Sequence, residues 1–182
     1  TLTWNDPNCF GWNHSADREQ MQKGLTDFGK EAVSYMNELG IIVDVSHLSD
    51  GGFYDVADVA TKPFVASHSN CRGLSPNTRN LTDDMIKTIA DRGGVIGLNF
   101  YGLFLNESAD DFSNVKRMAE HVTHIINVGG SECLGLGSDF DGIDGRLEME
   151  DCSQMDKLVA ELERQHFTTG EIEKIFYKNT LS

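Results

Sequence analysis

Apolar residues along this chain follow two alternating rhythms. Short, nearly continuous apolar runs at Ile41–Val45, Phe64–Ser67, Val95–Phe100 and Leu134–Gly137 read as strands, the first three rich in β-branched or aromatic side chains. Between them the apolar positions recur at helical spacing over 27–39, 50–60, 83–92 and 114–128, and again over 154–165 and 169–180 behind the last strand. Start and stop signals agree with these bounds. Thr26, Ser49, Thr82 and Ser113 stand where N-caps belong, and Thr168-x-x-Glu171 is a capping-box pattern. Gly40, Gly93-Gly94 and Gly129-Gly130 are placed to end helices. Residues 1–4 read as the tail of a further strand.

Strand followed by helix, four times over, predicts parallel strands joined by crossover helices. Strands that are apolar throughout fit a sheet covered on both faces. An open doubly wound sheet and part of a (β/α)8 barrel both satisfy this pattern. A complete barrel takes about 250 residues, and 182 residues supply roughly half of its strands. A flavodoxin-like sheet fits less well, because no Gly-rich phosphate loop follows the first strand. Nothing in the composition divides the chain, and the Gly/Asp/Glu-rich stretch 141–153 reads as a loop after the last strand.

Charge and composition narrow the partners. A net charge of −14 argues against nucleic acid and anionic membranes. No apolar run approaches the ~20 residues of a bilayer span. Cys9, Cys71, Cys133 and Cys152 are scattered without metal-knuckle spacing, which favours free thiols in a reducing, cytoplasmic setting. The opening "TLTWND", without Met, reads as cut from something longer, so any leader would lie upstream.

The candidate chemistry lies at the strand ends. "IIVDVSHLSD" and "FVASHSNC" each bring an apolar run to Ser-His and then break. Alternation along a strand puts His47 on the face of Val43 and Val45, and His68 on the face of Phe64 and Ala66, with Ser46 and Ser67 opposite. By the same parity Asp139 joins Gly135 and Gly137, and Tyr101 joins Gly97 and Asn99. The C-terminal ends of parallel strands are where loops converge on ligands. Two imidazoles and a carboxylate there make a donor set for a divalent metal, zinc being the usual choice, with water activation as its chemistry. The competing reading is a set of hydrogen-bonded structural residues. Arg79, in "SPNTRNLTDD", either grips a substrate carboxylate in a bidentate fork or pairs with Asp83 or Asp84. His14, His121, His124 and His166 read as connecting-segment or surface residues.

The blocks "GLTDFGKEAVSYMNELGIIVDVSHLSD", "KPFVASHSNCRGLSPNTRNLTDDMIKTIADRGGVIGLNFY" and "LGLGSDFDGI" together resemble the membrane dipeptidase family, peptidase family M19, including its bacterial members. The resemblance runs from residue 1 to the C-terminus. It implies a (β/α)8 barrel of the metal-dependent hydrolase type, with this chain covering about strands five to eight as the C-terminal half of one domain, and a binuclear zinc site that hydrolyses dipeptides. On that footing His47 and His68 are ligands of one zinc, Asp139 handles protons beside the metals, Arg79 holds the dipeptide's carboxylate and Tyr101 lines the pocket. The family's His-x-Asp pair and bridging glutamate would lie upstream. The chain also has Trp4 where the family commonly carries a substrate-contacting histidine. Half a barrel would uncover Val43, Val45, Phe64, Ala66 and Val95 and hold zinc at most loosely, so the fragment is expected to be inactive. A homodimer is compatible with this reading. Its rivals are another amidohydrolase-type enzyme acting on an amide or lactam, and a non-catalytic binding or assembly module.

Overall fold

The computed structural model describes residues 1–108 and 111–182. In chain order its regular elements are helices α1 (Arg18–Met21), α2 (Asp27–Leu39), α3 (Asp50–Val59) and α4 (Asp83–Asp91), strand β1 (Ile96–Leu98), helices α5 (Gly102–Leu105) and α6 (Val115–Gly129), strand β2 (Leu134–Leu136), and helices α7 (Asp156–Arg164), α8 (Thr169–Glu173) and α9 (Asn179–Leu181). A wide π turn, Lys174–Lys178, joins α8 to α9, so the single helix expected over 169–180 is loosened in its middle. The extra short helices α1 and α5 were not legible as periodic patterns, being one turn each.

All four expected strands lie side by side in sequence order and run parallel, but with unequal regularity. β1 and β2 pair in register from Ile96↔Leu134 to Leu98↔Leu136. The two earlier segments join through single bridges, Asp44↔Val65 and Ala66↔Ile96. Backbone bonds continue the ladder: Val45 N–H to the Val65 carbonyl at 2.8 Å, Val65 N–H to the Val43 carbonyl at 2.9 Å, and Gly97 N–H to the Ala66 carbonyl at 2.8 Å. Residues 1–4 form no strand; they are anchored instead by the Thr1 hydroxyl, which donates to the Ser46 carbonyl.

The caps behave as their chemistry dictates. Thr26, Ser49 and Thr82 accept from the N–H groups of Gly29, Gly52 and Met85, and Gly40 closes α2 in the left-handed conformation, φ 73°. Thr168 and Glu171 form the full capping box. The α6 cap is Asn114 rather than Ser113, its side chain accepting from Arg117 N–H. Ser113 is drawn away because its backbone bridges to Leu147.

One expectation about the core is reversed. Val43, Val45, Phe64 and Ala66 are buried, whereas Val95 is half-buried. The first four face the helical layer: Phe64 packs edge-on against Phe53 of α3, with ring centroids 5.8 Å apart. The face left open carries Asp44, Val65, Ser67 and Val95, all less covered than their neighbours. Gly97 and Gly137 are required beside this face, since a Cβ at either would collide with the Ser67 carbonyl. Among the described residues no helix is long and apolar enough to cross a membrane. All four cysteines are free thiols, Cys71 and Cys133 buried, Cys9 and Cys152 exposed.

His121 is not a surface residue. It is fully buried on α6, accepting at Nδ1 from Cys71 N–H (3.1 Å) while Nε2 bonds the Leu105 carbonyl (2.9 Å). Burial lowers its pKa to about 4, overcoming the opposing pull of that carbonyl. The unfolded chain therefore takes up a proton near pH 6.5 that folded His121 refuses until about pH 4. Stability from this residue is complete above pH 6.5 and drains away as the pH falls toward 4. Urea titrations of the wild type and His121→Gln should show their stability difference shrinking by roughly 3 kcal/mol between pH 7.5 and 4.5. A difference independent of pH would contradict it.

Candidate active site

The C-terminal ends of the four strands surround a cavity of ≈ 1080 Å³ whose wall includes His14, His47, His68, Arg79, Tyr101 and Asp139. The expected side chains thus share one space, but parity does not bring them there. His47 has φ 72° and Asp139 φ 61°, both left-handed. A positive φ at the strand end breaks the alternation, so His47 leaves the covered face of Val43 and Val45 and turns into the cavity. Ser67, expected to point away, instead hydrogen-bonds the site: its Oγ lies 2.7 Å from His68 Nδ1.

The two imidazoles meet closely. His47 Nε2 and His68 Nε2 are 2.9 Å apart, with ring centroids at 4.9 Å. Each Nδ1 is committed elsewhere, that of His47 to Asn5 Oδ1 at 3.1 Å and that of His68 to Ser67 Oγ. Burial, then the Arg79 guanidinium, depress both pKa values, His47 to about 3, so both rings are neutral near pH 7. Where both rings donate from Nδ1, their two Nε2 lone pairs would face one point. A cation there relieves their repulsion. Zn–N bonds of about 2.0–2.1 Å turn a 2.9 Å separation into an N–metal–N angle near 90°, so the pair fits a divalent metal. It is only a pair: among the described residues no group of three or more His, Cys, Asp or Glu gathers to hold an ion.

Arg79 pairs with neither Asp83 nor Asp84. Asp83 takes His124 (2.7 Å) and Asp84 takes the Tyr54 hydroxyl (2.8 Å). Arg79 is only 5% exposed; it donates from Nη2 to the His68 carbonyl (3.1 Å) and lies over the Phe104 ring (5.4 Å), while its buried Nε has no partner. Desolvation lowers its pKa to about 10, opposed by Asp139 and Asp44, which leaves it charged near pH 7. A buried guanidinium with donors to spare at a cavity wall has the chemistry to receive a carboxylate or another anion.

Asp139 accepts from Asn99 Nδ2 at 3.0 Å through Oδ2 and sits within electrostatic reach of His68 and Arg79. Asn99 is fixed in turn by exchanging hydrogen bonds with Asn70. Tyr101 stands edge-on to Phe104, centroids 4.9 Å apart. Trp4 is 67% exposed at the cavity mouth.

Sequence reasoning passed over His14, Asn5 and Asp44. His14 bonds Asn5 Oδ1 and Thr78 Oγ1, each at 3.3 Å, with its ring 5.8 Å from that of His47. No periodicity marks a residue in the 5–16 loop, so nothing flagged it. Asp44 did carry a signal: a carboxylate inside the apolar run "IIVDV" is anomalous in itself.

Comparison with known proteins identifies the family and the fold. Residues 1–182 match the family described as Membrane dipeptidase (Peptidase family M19). An uncharacterized dipeptidase of Schizosaccharomyces pombe is 38% identical over 100% of this chain and 44% of its own length, so the chain spans less than half of that relative. Dipeptidase AC, a solved metallopeptidase of family M19, superposes with TM-score 0.90 at 32% identity, over 97% of this chain and 54% of that one. A metallopeptidase from Rhodobacter sphaeroides, liganded with a phosphinate mimic of the dipeptide L-Ala-D-Ala, superposes with TM-score 0.81 at 35% identity, over 86% and 45%. The fold is the α/β fold of these structures, the barrel of amidohydrolase type, of which this chain is a part. With the motif, the superposition and the rim of polar side chains in agreement, the chain belongs to the membrane dipeptidase family, peptidase family M19.

Proposed function

We propose that the complete protein is a zinc-dependent dipeptidase and that this chain is the C-terminal half of its single barrel domain. The observation that carries the reading is the convergence of the His47 and His68 Nε2 atoms, 2.9 Å apart, on the cavity that Arg79 and Asp139 also face. The dipeptide substrate class is supported by the relative crystallised with a dipeptide mimic.

In this reading His47 and His68 would hold one zinc ion as neutral ligands. The chemistry supplied there would be activation of a water, whose pKa would fall to about 7. Arg79 grips the free carboxylate of the C-terminal residue; Asp139 and Asp44 act on its charge only through space, so its donors stay available. That grip sets the register of the scissile bond against the imidazole pair. Asp139, steadied at Oδ2 by Asn99, uses its other oxygen to take a proton from the attacking water and pass it to the departing amine. Tyr101 and Phe104 wall the side chain of the bound residue.

The chain alone contributes two imidazoles, and we propose that it does not turn over dipeptides without donors from the remainder of the protein. The test compares the complete protein with the 182-residue chain, each with L-Ala-D-Ala and zinc, following amine release. Turnover of about 10 per second is expected from the complete protein, lost on chelation and restored by zinc, with none from the short chain. Turnover by the complete protein that survives exhaustive chelation would defeat the zinc reading, and comparable turnover by the short chain would defeat its dependence on the rest.

A further inference from the structure

Asp44 and Ser67 occupy the open face beside the imidazole pair, and their hydrogen bonds have only one consistent direction. The Asp44 carboxylate, an acceptor, takes Ser46 N–H (3.0 Å) and Ser67 N–H (2.8 Å) on Oδ1 and the Ser67 hydroxyl (2.7 Å) on Oδ2. Ser67 has one proton, and it is spent on Asp44. Its oxygen therefore accepts from His68 Nδ1 at 2.7 Å, which must carry the ring's hydrogen. Ser46 Oγ, which accepts from His68 N–H at 3.1 Å, lies 3.5 Å from Ser67 Oγ, so Asp44 Oδ2 at 2.7 Å is the much better acceptor for the Ser67 proton. The chain of bonds crosses from one parallel segment to the next, so it locks the ring to both.

We propose that Asp44 and Ser67 are positioning residues that hold His68 in its Nδ1–H tautomer and aim the Nε2 lone pair at the metal. This rests on the reading of His68 as a ligand. The arrangement is a carboxylate–hydroxyl–imidazole relay, one link longer than a direct carboxylate–histidine contact but with the same effect on ring orientation and basicity.

Asp44→Asn inverts the relay without changing its shape. The amide oxygen can keep the two backbone N–H groups, while the amide nitrogen, in place of Oδ2, now donates to Ser67 Oγ. The Ser67 proton must then turn to His68 Nδ1, which forces the ring hydrogen onto Nε2, where the metal should be. Ser67→Ala merely cuts the relay, and Ser67→Thr preserves it. Two measurements on the complete protein test this. Ring ¹⁵N–¹H correlation spectra of the metal-free protein should show His68 as Nδ1–H in the wild type and Ser67→Thr, and as Nε2–H in Asp44→Asn. Zinc affinity, by competition with a chromophoric chelator, should fall about 10- to 100-fold in Ser67→Ala, at least as far in Asp44→Asn, and little in Ser67→Thr. His68→Gln separates the two levels. If it weakens zinc while Ser67→Ala and Asp44→Asn leave both affinity and tautomer unchanged, the relay is wrong and the ligand assignment stands. If His68→Gln itself leaves affinity unchanged, the ligand assignment fails and the relay with it.

Discussion

Replacing Arg79 with Met in the complete protein should raise KM for dipeptides by about 100-fold or more while leaving thermal stability equal or higher. The two halves of that expectation have separate causes. Hydrogen bonds to charged groups contribute about 1.5–3 kcal/mol each, and a guanidinium that grips a carboxylate makes two, so their loss amounts to at least two decades in binding. The folded protein, by contrast, gains little from this arginine. Its charge is buried with no carboxylate in ion-pair contact, Asp139 and Asp44 acting on it only through space, its Nε is unpaired, and one of its few bonds goes to the His68 carbonyl. A buried charge of that kind costs stability, and an apolar chain of similar length over the Phe104 ring removes the cost. Steady-state kinetics with a dipeptide and with its C-terminal amide give the readout. The amide should be a poor substrate for the wild type and nearly indifferent to the substitution. An unchanged KM for the free dipeptide would point instead to an amide or lactam substrate that has no carboxylate to hold.

Asp139→Asn is expected to lower kcat by about 10²- to 10⁴-fold, the usual span for a lost proton carrier, with KM and zinc content close to wild type. The substitution is unusually clean here. Asparagine tolerates the left-handed backbone that residue 139 adopts at φ 61°, and its side-chain oxygen can still accept from Asn99. What it cannot do is take up and release a proton. The kinetics should be paired with metal analysis of the same preparations. A variant that keeps wild-type kcat would remove Asp139 from the chemistry; one that loses zinc would recast it as a ligand.

The features legible in the sequence were those controlled by local rules. Parallel strand–helix units follow from the two apolar periods, and the helix starts at Thr26, Ser49, Thr82 and Thr168 follow from single side chains that satisfy backbone N–H groups. Strand-end polar residues converge because parallel strands end on the same side. The side-chain directions were less accessible. Alternation predicts which face a residue takes only while φ stays negative, and the site begins where that stops, at His47. The same error assigned Val43, Val45, Phe64 and Ala66 to the open face when they pack under helices, and sent Ser67 away from the histidine it touches. His14 was invisible for another reason: the loop that carries it has no period, and only the tertiary arrangement brings it to Asn5 and His47. His121 shows the converse. A histidine at helical spacing among apolar residues was buried because two backbone groups satisfied it.

The twist of the chain at residues 47 and 139 has a consequence for anyone who would improve this protein. A left-handed backbone favours glycine sterically, and histidine and aspartate are among the few other residues that adopt it at modest cost. A search for thermostable variants by melting temperature alone carries no signal that protects the imidazole and the carboxylate on which hydrolysis is proposed to depend. Melting temperature and turnover are separate readouts at these two residues, and any screen of this barrel has to follow both at once.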